Sequence, residues 1–289
     1  MRRFLITSVL LLTTILAVAQ NADSLTFVSA KWKIDSIAKG LVLKRFHFVD
    51  STLFKSNQYI SILEVSPSLG RVIEILPSPV LIETSTMAVE SNALAAINGS
   101  FFKFNYTYNT IDYNSVDYIR IAEKVYSPNT YKNRAQREIN QKGAIAILKN
   151  QLYILKADVL SQWEDYINAD QIISSGPTLI INKTPEALLK SSFYITRHPR
   201  TLVVKTENNL VLLITIDGRA KQSAGLTLEE SQKISIWLGA ESSINLDGGG
   251  STTMYVKGLG DTGVVNHPTD NKLFDNKGER KVANAIIIK

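Results

Sequence analysis

The chain has 289 residues, no cysteine, three histidines and a net charge of +6. Lack of cysteine excludes disulfides, thiolate catalysis, thiolate metal sites and a lipid-modified cysteine at a processing site. The charges are dispersed with no basic block, which argues against a nucleic-acid partner, and the widely spaced histidines offer no zinc-ligand pattern.

Arg2 and Arg3 precede an apolar, uncharged run from Phe4 to Val18, with small residues at Ala17 and Ala19. This layout predicts a secretory signal peptide over residues 1–20, because the run is shorter than the ~20 residues that span a bilayer. The expectation is a periplasmic or secreted protein without stable membrane insertion once the leader is cut. Nothing in the pattern fixes an oligomeric state. Residues 21–94 are expected to form the N-terminal part of one domain and residues 95–289 its core. The structure of the stretch up to about Asn57 is left open.

Tyr59–Val65 and Arg71–Leu76 alternate as strands around a turn containing Pro67 and Gly70. Thr84 to Leu94 reads as a short helix that leads into Asn98-Gly99. Strand patterns then recur at 144–149, 152–156, 171–174, 178–181, 201–206 and 210–216, the last two forming the clearest hairpin, around Glu207-Asn208-Asn209. A helix over Leu228–Leu238 has Thr227 as N-cap, Glu230 completing a capping box and Gly239 at its end; its apolar residues predict deep burial. Strands at 243–246, 252–257 and 281–288 close the chain. The expected fold class is α+β: a single domain with a large, mostly antiparallel sheet and a few packed helices.

Four places carry candidate chemistry. In Asn245-Leu246-Asp247-Gly248-Gly249-Gly250-Ser251-Thr252-Thr253 a strand ends in a carboxylate, and three glycines let backbone approach a ligand closely. Its N–H groups and the hydroxyls of Ser251 and Thr252 suit an anion, although a glycine-rich hairpin turn reads the same way. Asp217 and Arg219 end one arm of the hairpin and Arg200-Thr201 opens the other, so Asp217, Arg219 and Arg200 are expected to converge, as phosphate ligands or as a structural pair. Asn98-Gly99 is either a ligand-directed amide or an ordinary turn. The aromatic-rich stretch from Phe101 to Tyr118 either stacks on sugar rings or packs on itself.

Taken in order, these motifs resemble the phosphodiester glycosidase family. The resemblance covers Asn98-Gly99-Ser100-Phe101-Phe102, Ser175-Gly176-Pro177, Arg197-His198-Pro199-Arg200-Thr201, Ile216-Asp217-Gly218-Arg219, the asparagine-to-threonine loop at 245–253, and Gly278-Glu279-Arg280-Lys281-Val282-Ala283-Asn284-Ala285. Three departures stand out: Ser100 replaces a second glycine, Lys281 takes a position that is often proline, and residues 104–118 look like an insertion. The resemblance implies an exported hydrolase that cleaves a sugar-1-phosphodiester, with a glycan or sugar-phosphate such as an N-acetylglucosamine-1-phosphodiester as substrate. On that footing Arg200 and Arg219 hold phosphate oxygens, helped by the N–H groups of Gly248, Gly249 and Gly250. Asp247 or Asp217 serves as nucleophile or base, and Asn98 orients a sugar hydroxyl or a phosphate oxygen. Gly99, Thr201, Ser251, Thr252 and Arg280 complete the expected binding site. No cofactor is expected, with a divalent cation between Asp217 and Asp247 left open. Two rivals remain: a non-catalytic cell-surface glycan-binding protein, and a metal-dependent phosphodiesterase that attacks phosphorus.

Overall fold

The computed structural model describes residues 22–130 and 139–289; the expected leader at 1–20 lies outside them. Among the described residues seventeen strands form three sheets in which every strand pair is antiparallel. The largest runs β1 (Lys33–Ala38), β2 (Leu41–Leu53), β3 (Ser56–Val65), β14 (Val211–Ile216), β13 (Arg200–Thr206), β15 (Ala240–Asn245), β11 (Thr178–Ile181) and β12 (Thr184–Pro185). A second runs β7 (Lys124–Ser127), β6 (Ile119–Ile121), β10 (Gln171–Ser175), β8 (Gly143–Leu148) and β9 (Gln151–Lys156). The third is β16 (Met254–Val256), β5 (Ala95–Asn98), β17 (Lys281–Ile288) and β4 (Ile73–Glu83). Helices are few: α1 (22–28), α2 (Thr84–Glu90), α3 (Ser192–Ile195) and α4 (Leu228–Trp237). Among the described residues no helix is long and apolar enough to cross a membrane.

The large sheet is covered on both faces, which is why β13 and β14 read as near-continuous apolar runs. Leu43, Leu63, Leu213 and Val203 point to the two smaller sheets, where they meet Ile75, Ile97, Ile145 and Ile286. Leu202, Val204, Leu212 and Ile214 point the other way, against Phe27, Phe48, Leu228 and Ile234. At one end the inward face turns polar: Leu63 gives way to Ser61 and Tyr59, Leu213 to Thr215, and Val203 to Thr201, in paired register. An interior that is apolar at one end and polar at the other places a site where the alternation changes character.

Most expected strands are present, with revised ends. The stretch before Asn57 holds α1, β1 and most of β2, which the sequence reading left open. On β2 the inward face begins with Leu41 and Leu43 and continues with Arg45 and His47, while Phe48 packs on the opposite face, so no single alternation spans it. Strand β4 runs past Pro77 and Pro79 to Glu83, which its place at the sheet edge permits because an edge position needs no second N–H donor. Helix α2 stops at Glu90, four residues early. The capping box of α4 is formed: Glu230 N–H donates to Thr227 Oγ1 at 3.1 Å, and Thr227 N–H to a Glu230 carboxylate oxygen at 2.9 Å. Its burial is one-sided, since Ile234 is enclosed and Ile236 is 48 % exposed.

Candidate active site

Asn98, at the end of β5, ties the sheets together at their polar end. Its Oδ1 accepts from Thr201 Oγ1 at 2.8 Å and from Thr253 N–H at 3.1 Å, and its Nδ2 donates to the Asp247 carbonyl at 2.7 Å. The side chain is wholly buried, so it fixes the glycine loop against β13 and has no surface to offer a sugar. The expected role of orienting a sugar hydroxyl or phosphate oxygen is therefore replaced by a positioning one. Gly99 adds to the same brace, its carbonyl accepting Asp247 N–H at 3.1 Å. Thr201 is enclosed with it.

Between Asp247 and Thr252 the chain makes a tight turn, with a short 3-10 segment over Gly249–Ser251. Its glycines are required because Gly249 has a left-handed φ of 63° and a Cβ on Gly248 would stand 2.6 Å from the Pro199 carbonyl oxygen; two guanidiniums also pack against this backbone. A Cβ on Gly249 would stand 3.0 Å from Arg219 Nη2, and one on Gly250 only 2.5 Å from Arg280 Nη2. Arg219 is exposed and makes no hydrogen bond or ion pair among the described residues, so its donors are free for an anion. Arg280 is held by Asp270, with Nε at 2.8 Å and Nη2 at 2.5 Å from the same carboxylate oxygen, and the Phe104 ring covers it at 5.3 Å. The N–H groups of the turn contribute less than the sequence implied. Gly249 N–H donates to the Pro199 carbonyl at 2.9 Å, and Gly248 N–H serves the Asp247 carboxyl. That leaves the N–H of Gly250. The hydroxyls of Thr252 and Thr253 are buried without an intramolecular partner, and Ser251 lies beside Asp247.

The Asp247 carboxyl sits among these groups. Removal from water pushes its pKa up to about 6, against the lowering influence of the Ser251 hydroxyl, Arg280, the Gly248 N–H and Arg219. A carboxyl poised near neutrality exchanges protons readily.

Asp217 directly follows β14 and is almost fully buried. One carboxylate oxygen accepts Asn266 Nδ2 at 2.9 Å; the other accepts His267 N–H at 2.9 Å and meets His267 Nδ1 at 2.7 Å. A carboxylate accepts, so a neutral imidazole here carries its hydrogen on Nδ1 and leaves Nε2 as the acceptor. The imidazole is clamped by Phe274, stacked at 3.9 Å, and by the edge-on Tyr59 at 4.6 Å. Asn266 also donates to the Thr252 carbonyl at 2.9 Å, joining this dyad to the glycine loop. His267, Asn266 and Asp270 escaped the sequence reading. The only signal for them was their place shortly before Arg280, since His267 meets Asp217 across fifty residues. Because both Asp217 oxygens are taken by donors, this carboxylate is arranged to orient an imidazole. Among the described residues no three His, Asp or Glu side chains gather as a metal-binding group.

Arg200 corrects the expectation that it reaches phosphate. Strand alternation puts Thr201 on the inward face and Arg200 on the helix side, where it is 1 % exposed. Its Nε donates to the Leu226 carbonyl at 2.9 Å, and one Nη donates to the carbonyls of Phe193 and Thr196 at 2.7 and 3.1 Å. Burial lowers its pKa to about 10. The guanidinium thus staples α3 and the segment before α4 to the sheet, and the arginines at the glycine loop are Arg219 and Arg280.

Comparison with known proteins identifies the family and the fold. The phosphodiester glycosidase family matches residues 91–289. The catalytic domain of zebrafish N-acetylglucosamine-1-phosphodiester alpha-N-acetylglucosaminidase, solved auto-inhibited by its pro-peptide, superposes with a TM-score of 0.62 at 18 % identity, over 89 % of this chain and 87 % of that one. A hypothetical protein from Synechocystis has the same fold, with a TM-score of 0.59 at 15 % identity, over 90 % of this chain and 64 % of that one. In sequence, the SPbeta prophage-derived uncharacterized protein YomE of Bacillus subtilis (strain 168) is 26 % identical over 106 residues, 31 % of this chain and 16 % of that protein. The chain thus spans only a small part of that relative's length and just under two thirds of the Synechocystis protein. With a family match over residues 91–289, more than half its length, the chain belongs to the phosphodiester glycosidase family.

Proposed function

We propose that the protein is an exported glycosidase that breaks the bond between the anomeric carbon of a sugar and the phosphate of a phosphodiester. The substrate class is an N-acetylglucosamine-1-phosphodiester or a close relative. One observation carries this reading: a single glycine turn gathers two guanidiniums and a carboxyl whose pKa is raised to about 6. Arg219 and Arg280 would hold the phosphate oxygens, on which negative charge grows as the bond breaks. Because the departing phosphate monoester is stable as an anion, the site needs less of a general acid than an ordinary glycosidase does. Asp247 would take a proton from water as that water's oxygen bonds to the anomeric carbon and the carbon–oxygen bond to phosphate breaks. The sugar leaves with a hydroxyl, the phosphate monoester leaves as an anion, and Asp247 returns its proton to solvent. Asp217 would act through His267, holding Nε2 ready to accept a hydrogen bond from substrate.

The test is turnover of N-acetylglucosamine-1-phospho-methyl-mannoside and a panel of other sugar-1-phosphodiesters, with and without chelator, beside an aryl phosphodiester that has no sugar. Release of free sugar from the panel alone supports the proposal. Cleavage of the aryl diester, stopped by chelator, would instead mean metal-dependent attack at phosphorus. A folded protein that binds glycan and turns over none of these would be a binding protein. Export rests on the leader pattern at 1–20, and the N-terminal sequence of protein recovered from the periplasm or medium tests it.

A further inference from the structure

The segment between β5 and β6 leaves four large apolar side chains open to solvent within eight residues: Phe104 at 64 %, Tyr106 at 69 %, Tyr108 at 72 % and Ile111 at 86 % exposure. Its backbone is nonetheless tied down. Asn109 N–H and Asn114 Nδ2 both reach the Pro79 carbonyl, at 2.8 and 3.3 Å. Asn105 Oδ1 accepts Thr107 N–H, Asn109 Oδ1 accepts Ile111 N–H, and Asp112 Oδ1 accepts Asn114 N–H, at 3.1, 2.9 and 3.0 Å. Lys103 closes on Asp112 at 2.5 Å. The loop's asparagine and aspartate side chains thus set its own shape, while its aromatic side chains face out. Large apolar side chains held out to solvent by an ordered backbone mark a binding surface.

The first aromatic of this loop reaches the glycine turn. Phe104 packs on Phe102 at 5.0 Å and covers the Arg280 guanidinium at 5.3 Å, and that guanidinium lies on Gly250. A phosphodiester held at Arg280 would carry one of its two substituents past Phe104, where this loop begins. We infer that residues 104–111 form a carbohydrate platform for the leaving half of the substrate, a sugar chain attached on the far side of the phosphate; the inference rests on the function proposed above. Aromatic faces pack on the C–H faces of pyranose rings, and the hydroxyls of Tyr106 and Tyr108 offer hydrogen bonds at the rim. An anionic lipid surface fits less well, because Lys103, the segment's one cation, is already neutralised by Asp112.

The experiment compares two N-acetylglucosamine-1-phosphodiesters, one bearing methyl and one bearing a linear mannotetraose, on the full chain and on a Tyr106→Ala/Tyr108→Ala variant. The expected result is a KM about tenfold lower for the tetraose diester in the natural protein, erased in the variant, with kcat/KM on the methyl diester within about twofold. Equal KM values for the two diesters, or an equal loss on both in the variant, would overturn the platform. Titration of free mannotetraose and chitotetraose, followed by the tyrosine ring resonances, reads the same surface without turnover. If neither diester is hydrolysed, the proposed reaction fails, yet saturable shifts that vanish in the variant still sustain the platform. Absence of shifts at millimolar sugar overturns it, as does variant-sensitive capture by phosphatidylglycerol vesicles without any response to sugar.

Discussion

Replacing Asp247 by asparagine should make the protein more stable at neutral pH while abolishing its activity. Burial raises this carboxyl from 3.8 to about 6, so the folded state holds a proton that the unfolded state has released between those values. Below about pH 4 both states are protonated and the group contributes nothing. As pH rises towards 6 the natural protein progressively loses stability, and above 6 the full cost of a desolvated carboxylate is present. A shift of about two units at about 1.4 kcal/mol each sets an upper figure of about 3 kcal/mol. The side chain's partial opening to solvent reduces it. Asparagine keeps the shape and carries no charge, so the variant should melt roughly 3–10 °C higher at pH 8 and show little gain at pH 4. Calorimetric scans at pH 4, 6 and 8 read this directly. A melting-temperature difference that does not change with pH, or a variant less stable than the natural protein at pH 8, would refute the argument that desolvation dominates this carboxyl.

Arg219→Ala should lower kcat/KM on a sugar-1-phosphodiester by about 100-fold or more, with the melting temperature unchanged within error, because this exposed arginine braces nothing in the fold. Arg200→Met should do the reverse: urea denaturation is expected to show a loss of about 3 kcal/mol or more, as three carbonyls lose their donor, while any folded fraction keeps its KM. Asp217→Asn should cut kcat by about 10- to 100-fold with little change in KM and should alter the pH–rate profile, since an amide no longer fixes His267 with Nδ1 protonated. Gly250→Ala should raise KM through displacement of Arg280, and kinetics at saturating and limiting substrate separate that effect from a loss of kcat.

The parts of the fold legible in sequence are those where one local rule governs. The β13–β14 hairpin and the Thr227–Glu230 capping box are short-range patterns and stand where the sequence puts them. The glycine turn was legible because three consecutive glycines exceed what a turn needs, and the left-handed φ of Gly249 with the Pro199 carbonyl pressed on Gly248 gives the reason, beside the packing of Arg219 and Arg280 on it. Arg200 was misread because its neighbours in sequence sit at the polar end of the sheet while its own side chain points through to the other face. Strand alternation separates it from Thr201 by putting the two side chains on opposite faces of the sheet. His267 was beyond local reading: a lone histidine gains meaning only from the buried carboxylate and the two rings around it. The inward face of β2 changes from Leu43 to Arg45, so a strand feeding both the core and its polar end shows no single period.

The central claim is that bond breaking occurs at the anomeric carbon. It is tested most directly by hydrolysing N-acetylglucosamine-1-phospho-methyl-mannoside in water enriched in heavy oxygen and weighing both products. The account predicts the label in the released N-acetylglucosamine and none in the phosphate monoester. Label in the phosphate monoester, with an unlabelled sugar, would contradict it.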